Sequence, residues 1–133
     1  MNIQRIHPEQ LFRYDGMAQV IAVTGASKII HVSGQVAMDK DMNLAAGDHC
    51  AQAAKAFENL KIALAAAGAT FNNLVTTTVY VKNIGPEALE AIGKAMHTAF
   101  DGKPIPDHAT TWIGVVELGS PEVLLEVSAV AMT

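Results

Sequence analysis

A chain of 133 residues makes one domain, residues 1–133, with no length left for a second. Nine Lys and Arg, scattered singly in a chain of net charge −4, exclude the basic stripe that nucleic-acid binding needs. The single Cys50 excludes an internal disulfide and fits a reducing cytoplasm, and no apolar run approaches the ~18 residues of a membrane span.

Half of the residues are hydrophobic and only 17% are charged, where roughly 25% is usual. A small protein with so little polar surface is expected to cover part of it with further copies of itself. A soluble, cytoplasmic oligomer that binds neither nucleic acid nor membrane is the expectation. Met1 to Gln10 has no apolar core of a secretion signal.

A short strand near Asn2–Ile6 is ended by Pro8. Met17–Thr24 and Lys28–Ser33 are β-branched runs separated by Gly25, Ala26 and Ser27, which reads as a hairpin. Val36–Leu44, rich in Asp and Asn, reads as a loop. Over Gly47–Ala67 the residues Cys50, Ala53, Phe57, Leu60, Leu64 and Ala67 recur at spacings of three and four, the stripe of a helix. Gln52, Lys55, Glu58 and Asn59 fall away from that stripe, Asp48 suits the N-cap, and Gly68 suits a left-handed C-terminal position.

Leu74–Lys82 alternates and is nearly all β-branched, a strand. Pro86 followed by Leu89, Ile92, Met96 and Phe100 predicts a second helix over Glu87–Phe100. Strands over His108–Glu117 and Glu122–Ala131 follow, joined by a turn at Gly119, Ser120 and Pro121. The order ββαβαββ predicts an α+β fold, a single mixed β-sheet with two helices on one face. The open face of that sheet is expected to be apolar and covered by other subunits.

Val32-Ser33-Gly34-Gln35, then Gln52, Phe57, Glu58, Asn59 and Leu60, then Val75 to Val81, then Leu125 to Ala131 form an ordered set. From about Met17 to Ala131 this succession resembles the Rid (YjgF-like) family. The resemblance implies a chorismate-mutase-like fold and a homotrimer with clefts between neighbouring subunits. Founding members hydrolyse reactive 2-imino and 2-enamino acids to 2-keto acids and ammonia, with no metal or organic cofactor. In them an Arg binds the substrate carboxylate, a Glu helps place the attacking water, and a Tyr and the loop after Ser-Gly-Gln shape the cleft. Here Glu126 falls on that Glu, and Ser33, Gly34 and Gln35 are present. The Arg position falls on Thr110 and a nearby Cys position on Trp112. The Tyr aligns best with Met17, with Tyr14 close by, and a helix Asn falls near Gly93. The pattern resembles divergent branches of the family that lack the arginine.

Each candidate has a plainer reading beside the functional one. Glu126, in an apolar strand, is a general base or water-holder, or an interface carboxylate satisfied by backbone amides. Ser33 and Gly34 cradle an oxygen of the ligand, or merely end a strand; Ser33 lacks the setting of a nucleophile. Trp112, the only Trp, walls the cleft or packs in the core, and Thr110 and Thr111 are β-formers whose hydroxyls can reach a ligand. His108 is the candidate second acid–base group, or a solvated strand-start histidine. The five histidines show no metal-ligand spacing, and Cys50 sits on the apolar helix stripe, so no metal site is expected. The leading expectation is a deaminase-type hydrolase, or binder, of a small imine, enamine or related carbonyl compound in inter-subunit clefts. The rival is a non-catalytic ligand-binding or protein-interaction trimer. An endoribonuclease or translation inhibitor gains no support from an acidic chain without a basic patch.

Overall fold

Asp48 opens the first helix, α1 (His49–Ala66), by accepting a hydrogen bond from the Ala51 amide at 3.0 Å. At the other end Gly68, at φ +79°, takes the left-handed conformation, and the Ala69 amide returns to Leu64 O at 2.9 Å. The computed structural model describes residues 1–45 and 47–133. Ala53, Phe57, Leu60 and Leu64 of the predicted stripe are buried together with Ala56, while Cys50 and Ala67 at its ends are half-buried. Gln52 does not fall away to solvent. It is 2% exposed, and its amide donates to Glu122 O (2.9 Å) while its carbonyl accepts from Leu124 N (2.8 Å). Asn59 likewise donates to the carbonyls of Val36 and Met38, tying down the predicted loop. The second helix, α2 (Pro86–Thr98), begins at the proline, whose missing N–H costs nothing in a first helical turn, and buries Ala88, Ile92, Ala95 and Met96.

Among the described residues six strands accompany the helices: β1 (Asn2–Ile6), β2 (Val20–Thr24), β3 (Ile29–Gln35), β4 (Leu74–Lys82), β5 (Ala109–Val115) and β6 (Leu125–Met132). Four of them form a mixed sheet in the order β3-β6-β4-β5, antiparallel except for the parallel β4–β5 pair. Val79 and Val81 of β4 and Leu125, Val127, Ala129 and Ala131 of β6 turn one face to the helices and share one core with them. The molecule is thus α+β, with both helices on one face of a mixed sheet. Among the described residues no helix is long and apolar enough to cross a membrane.

The predicted hairpin between the second and third strands is not formed. β2 pairs with β1, Ile3 opposite Val23, and β3 pairs with β6 instead. The reversal at Gly25 (φ +70°) is followed by Ser27 and Lys28 amides that both donate to Thr133 O, which starts β3 on the β6 edge. The β1–β2 ribbon meets the larger sheet at a parallel bridge between Met17 and His108, where Ala18 N donates to His108 O at 3.0 Å. Arg5 of β1 reinforces the joint by donating to the carbonyls of Asp107 and Asn72.

The open face also departs from expectation. It is not uniformly apolar: Thr76, Thr78 and Tyr80 of β4, Glu126 and Ser128 of β6, and His31 of β3 stand on it among Ile29, Ile113 and Val130. Threonine has the branched side chain a strand favours while carrying a hydroxyl, so strand propensity does not require an apolar surface.

Candidate functional site

Register alone assembles the first cluster. Glu126 stands opposite Tyr80, and Tyr80 opposite Ile113, so three strands contribute one row across the open face. On the far side of Glu126 the β3–β6 ladder slips. Val32 faces Ala129 and Gln35 faces Val127, leaving two residues of β3, Ser33 and Gly34, where β6 supplies Ser128. The slip brings the Gly34 backbone beneath the Glu126 side chain, so that a Cβ on residue 34 would lie 1.7 Å from Glu126 Oε1. A side chain at position 34 and the present placement of the Glu126 side chain are therefore mutually exclusive. Glu126 is half-buried and enters none of the ion pairs among the described residues. Beside the row, His31, Thr76, Thr78, Ser128 and Val130 line a shallow depression of about 180 Å³.

The interlock gives a test. Gly34→Ala should displace the flexible end of Glu126 rather than the backbone, changing stability by less than about 1 kcal/mol. Any Glu126-dependent activity should fall far more than the urea midpoint does. Equal activity in the variant and wild type would show that the carboxylate need not occupy this position.

The second cluster is a hydrogen-bonded relay. Trp112 Nε1 donates to Thr110 Oγ1 (3.1 Å), Thr110 Oγ1 lies 2.8 Å from Thr77 Oγ1, and Thr77 Oγ1 lies 2.8 Å from His108 Nε2. His108 Nδ1 completes it at 2.9 Å from Pro106 O. The ends fix the direction, because an indole N–H can only donate and a carbonyl can only accept. His108 therefore carries its proton on Nδ1. With the ring neutral, Nε2 accepts from Thr77, Thr77 has no second proton, and Thr110 must be the donor to Thr77. His108 is 1% exposed, and burial, the largest cause, holds its pKa below the ordinary 6.5 against the opposing pull of Pro106 O and Asp107.

A stability consequence follows in sign. At pH values below 6.5 the unfolded chain takes up a proton that folded His108 refuses. Stability present above that pH is lost as pH falls from there through the lower folded value. The urea midpoint of wild type should drop over this interval more steeply than that of His108→Gln, and parallel curves would refute a buried neutral His108.

The sheet separates the residues that the sequence groups as one site. Glu126, Ser33, Gly34 and Thr111 lie on the open face. Thr110 and Trp112 lie on the helix side, opposite the inward-facing Thr77 and Val79, and Trp112 packs against the core. His108 is neither solvated nor free, since both ring nitrogens are engaged. Met17 is half-buried at the rim of β5, joined to His108 through the backbone, whereas Tyr14 is 69% exposed. Cys50 is half-buried at the first turn of α1. Two members went unnoticed in the sequence: Thr77, which reads as one more β-former, and Tyr80, whose position beside Glu126 depends on a register that no local pattern reveals.

Comparison with known proteins agrees with this architecture. The family model described as endoribonuclease L-PSP matches residues 15–133. Protein DfrA of Myxococcus xanthus is 31% identical over 96% of this chain and 94% of its own length. The 2-iminobutanoate/2-iminopropanoate deaminase of Rattus norvegicus is 32% identical over 79% of this chain and 73% of its own. The crystal structure of YyfB from Yersinia pestis, a Rid-family protein of unknown function, superposes with a TM-score of 0.90 at 32% identity, covering both chains completely. A matched family model over nearly the whole chain, on the same helices-on-sheet framework, makes this protein a member of the endoribonuclease L-PSP, or Rid (YjgF-like), family.

Proposed function

We propose that this protein hydrolyses a small imine, enamine or related carbonyl compound in clefts between the subunits of a homotrimer, with Glu126 placing the water. The observation that carries the reading is the division of polar residues between the two faces of one sheet. Glu126 above Gly34 and the wall formed by Thr110 and Trp112 cannot meet one small molecule within a protomer. They can meet if the β5 edge of one subunit, with Met17 at its rim, lies against the open face of the next. In the reaction, water adds to the C=N carbon as Glu126 takes its proton. That proton is returned to nitrogen, giving a carbinolamine. Its hydroxyl proton then passes through Glu126 to the same nitrogen, the C=O bond forms as the C–N bond breaks, and ammonia leaves a carbonyl product. Ser33 and the Gly34 amide would border the reacting carbon, and Thr111 the same face. The deaminase named among the relatives supports the reaction class. The wall at Thr110 carries no cation, which favours substrates uncharged at that end.

Two measurements test this. Sedimentation equilibrium should give three times the 14.0 kDa chain mass, and a stable monomer at micromolar concentration would overturn the inter-subunit cleft. Wild-type protein should release ammonia from uncharged imines faster than from 2-iminopropanoate, with the release dependent on Glu126. A second reading, a trimer that binds its ligand without turnover, is favoured by the neutral, closed relay at Thr110. It predicts ligand binding with no ammonia released.

A further inference from the structure

Thr77 is 2% exposed and sits at the centre of the relay, where a β-former could as well have been valine. Its hydroxyl has one proton, given to His108 Nε2, and so must accept the proton of Thr110. Thr110 in turn accepts from Trp112. Both side-chain donors of this wall, the Thr110 hydroxyl and the Trp112 indole N–H, are thereby directed inward. What remains toward a ligand is a hydroxyl lone pair, the indole ring and methyl groups. A carboxylate brought against such a wall loses water and finds no donor, which is costly for an anion.

We propose that Thr77 is a specificity-determining residue: by holding the Thr110 proton it leaves the wall at Thr110 and Trp112 without a free donor, so that this end of the cleft admits an uncharged group and turns away a carboxylate. The inference rests on the cleft reading above, and Thr77 acts through Thr110 without touching the ligand. Thr77→Val keeps the shape of the side chain and removes the acceptor, which frees the Thr110 hydroxyl to point outward. A hydrogen bond from that hydroxyl to an anion corresponds to about tenfold in affinity.

The test is a pair of NMR titrations, with pyruvate and with its uncharged analogue pyruvamide, following the indole N–H of the only Trp in the chain. Wild type should bind pyruvamide at least as tightly as pyruvate. Thr77→Val should shift the affinity ratio about tenfold toward pyruvate, and Thr77→Ser, which restores the hydroxyl, should return it to the wild-type value. Thr77→Val/Thr110→Val, lacking the freed donor, should show no gain. An unchanged ratio in Thr77→Val with binding intact, or Thr77→Ser behaving like Thr77→Val, overturns this inference alone. No binding of either compound to any variant removes the cleft reading and this inference with it. The ring-nitrogen shifts of wild-type His108 give a check that needs no variant to fold: a proton on Nδ1 is expected, and a proton on Nε2 reverses the relay and overturns the proposal.

Discussion

Glu126→Gln should slow ammonia release by about 10²–10⁴-fold, the usual contribution of a positioned general base. Glutamine has nearly the same size and can still orient water, but cannot take its proton. The loss should therefore fall on kcat, with KM little changed. Stability should change little, because Glu126 is half-buried and enters no ion pair among the described residues. Initial-rate kinetics on a neutral imine, run beside urea denaturation, separate the two effects. Undiminished turnover in a folded Glu126→Gln protein would move the chemistry to another group. Tyr80, directly across the strand pair, would be the next residue to replace.

Gln52→Ala should cost about 2–4 kcal/mol, because two backbone groups lose their partners together. The Gln52 side chain is the link between α1 and the segment entering β6, donating to Glu122 O and accepting from Leu124 N on either side of the 1%-exposed Val123. Against a typical total of about 5–15 kcal/mol, that is a large fraction from one polar side chain. Urea denaturation measures it directly, and a cost below about 1 kcal/mol would mean that the segment finds other partners. Since the same segment leads into the strand carrying Glu126, activity should fall in Gln52→Ala even where the protein remains folded.

The contrast between Gln52 and Leu60 marks how far the sequence is legible. Leu60, Phe57 and Leu64 announce their burial by spacing, since an apolar stripe has one low-energy destination. Gln52 has two, solvent or a backbone partner some 70 residues away, and only tertiary structure decides. The same holds for strands. Alternation shows that Thr110 and Trp112 share one face of β5 and that Glu126 and Ser128 share one face of β6, but the phase between strands depends on register. For that reason the sequence does not reveal that the residues of the proposed site form two clusters on opposite faces of the sheet. The absent hairpin has a similar origin: the turn at Gly25 is local and legible, whereas the preference of β3 for β6 is not.

The placement of β6 has a kinetic consequence. The last strand in the sequence is an inner strand of the sheet, paired with β3 on one side and β4 on the other. Joining Ile30 to Ala131 closes a loop of about a hundred residues before β3 has a partner in the sheet. During synthesis β3 and β4 wait with bare edges until β6 emerges, so the sheet closes only once that strand is available. Refolding should therefore be slow for a chain of this length, and the waiting edges of β3 and β4 are where nascent chains are most exposed to aggregation.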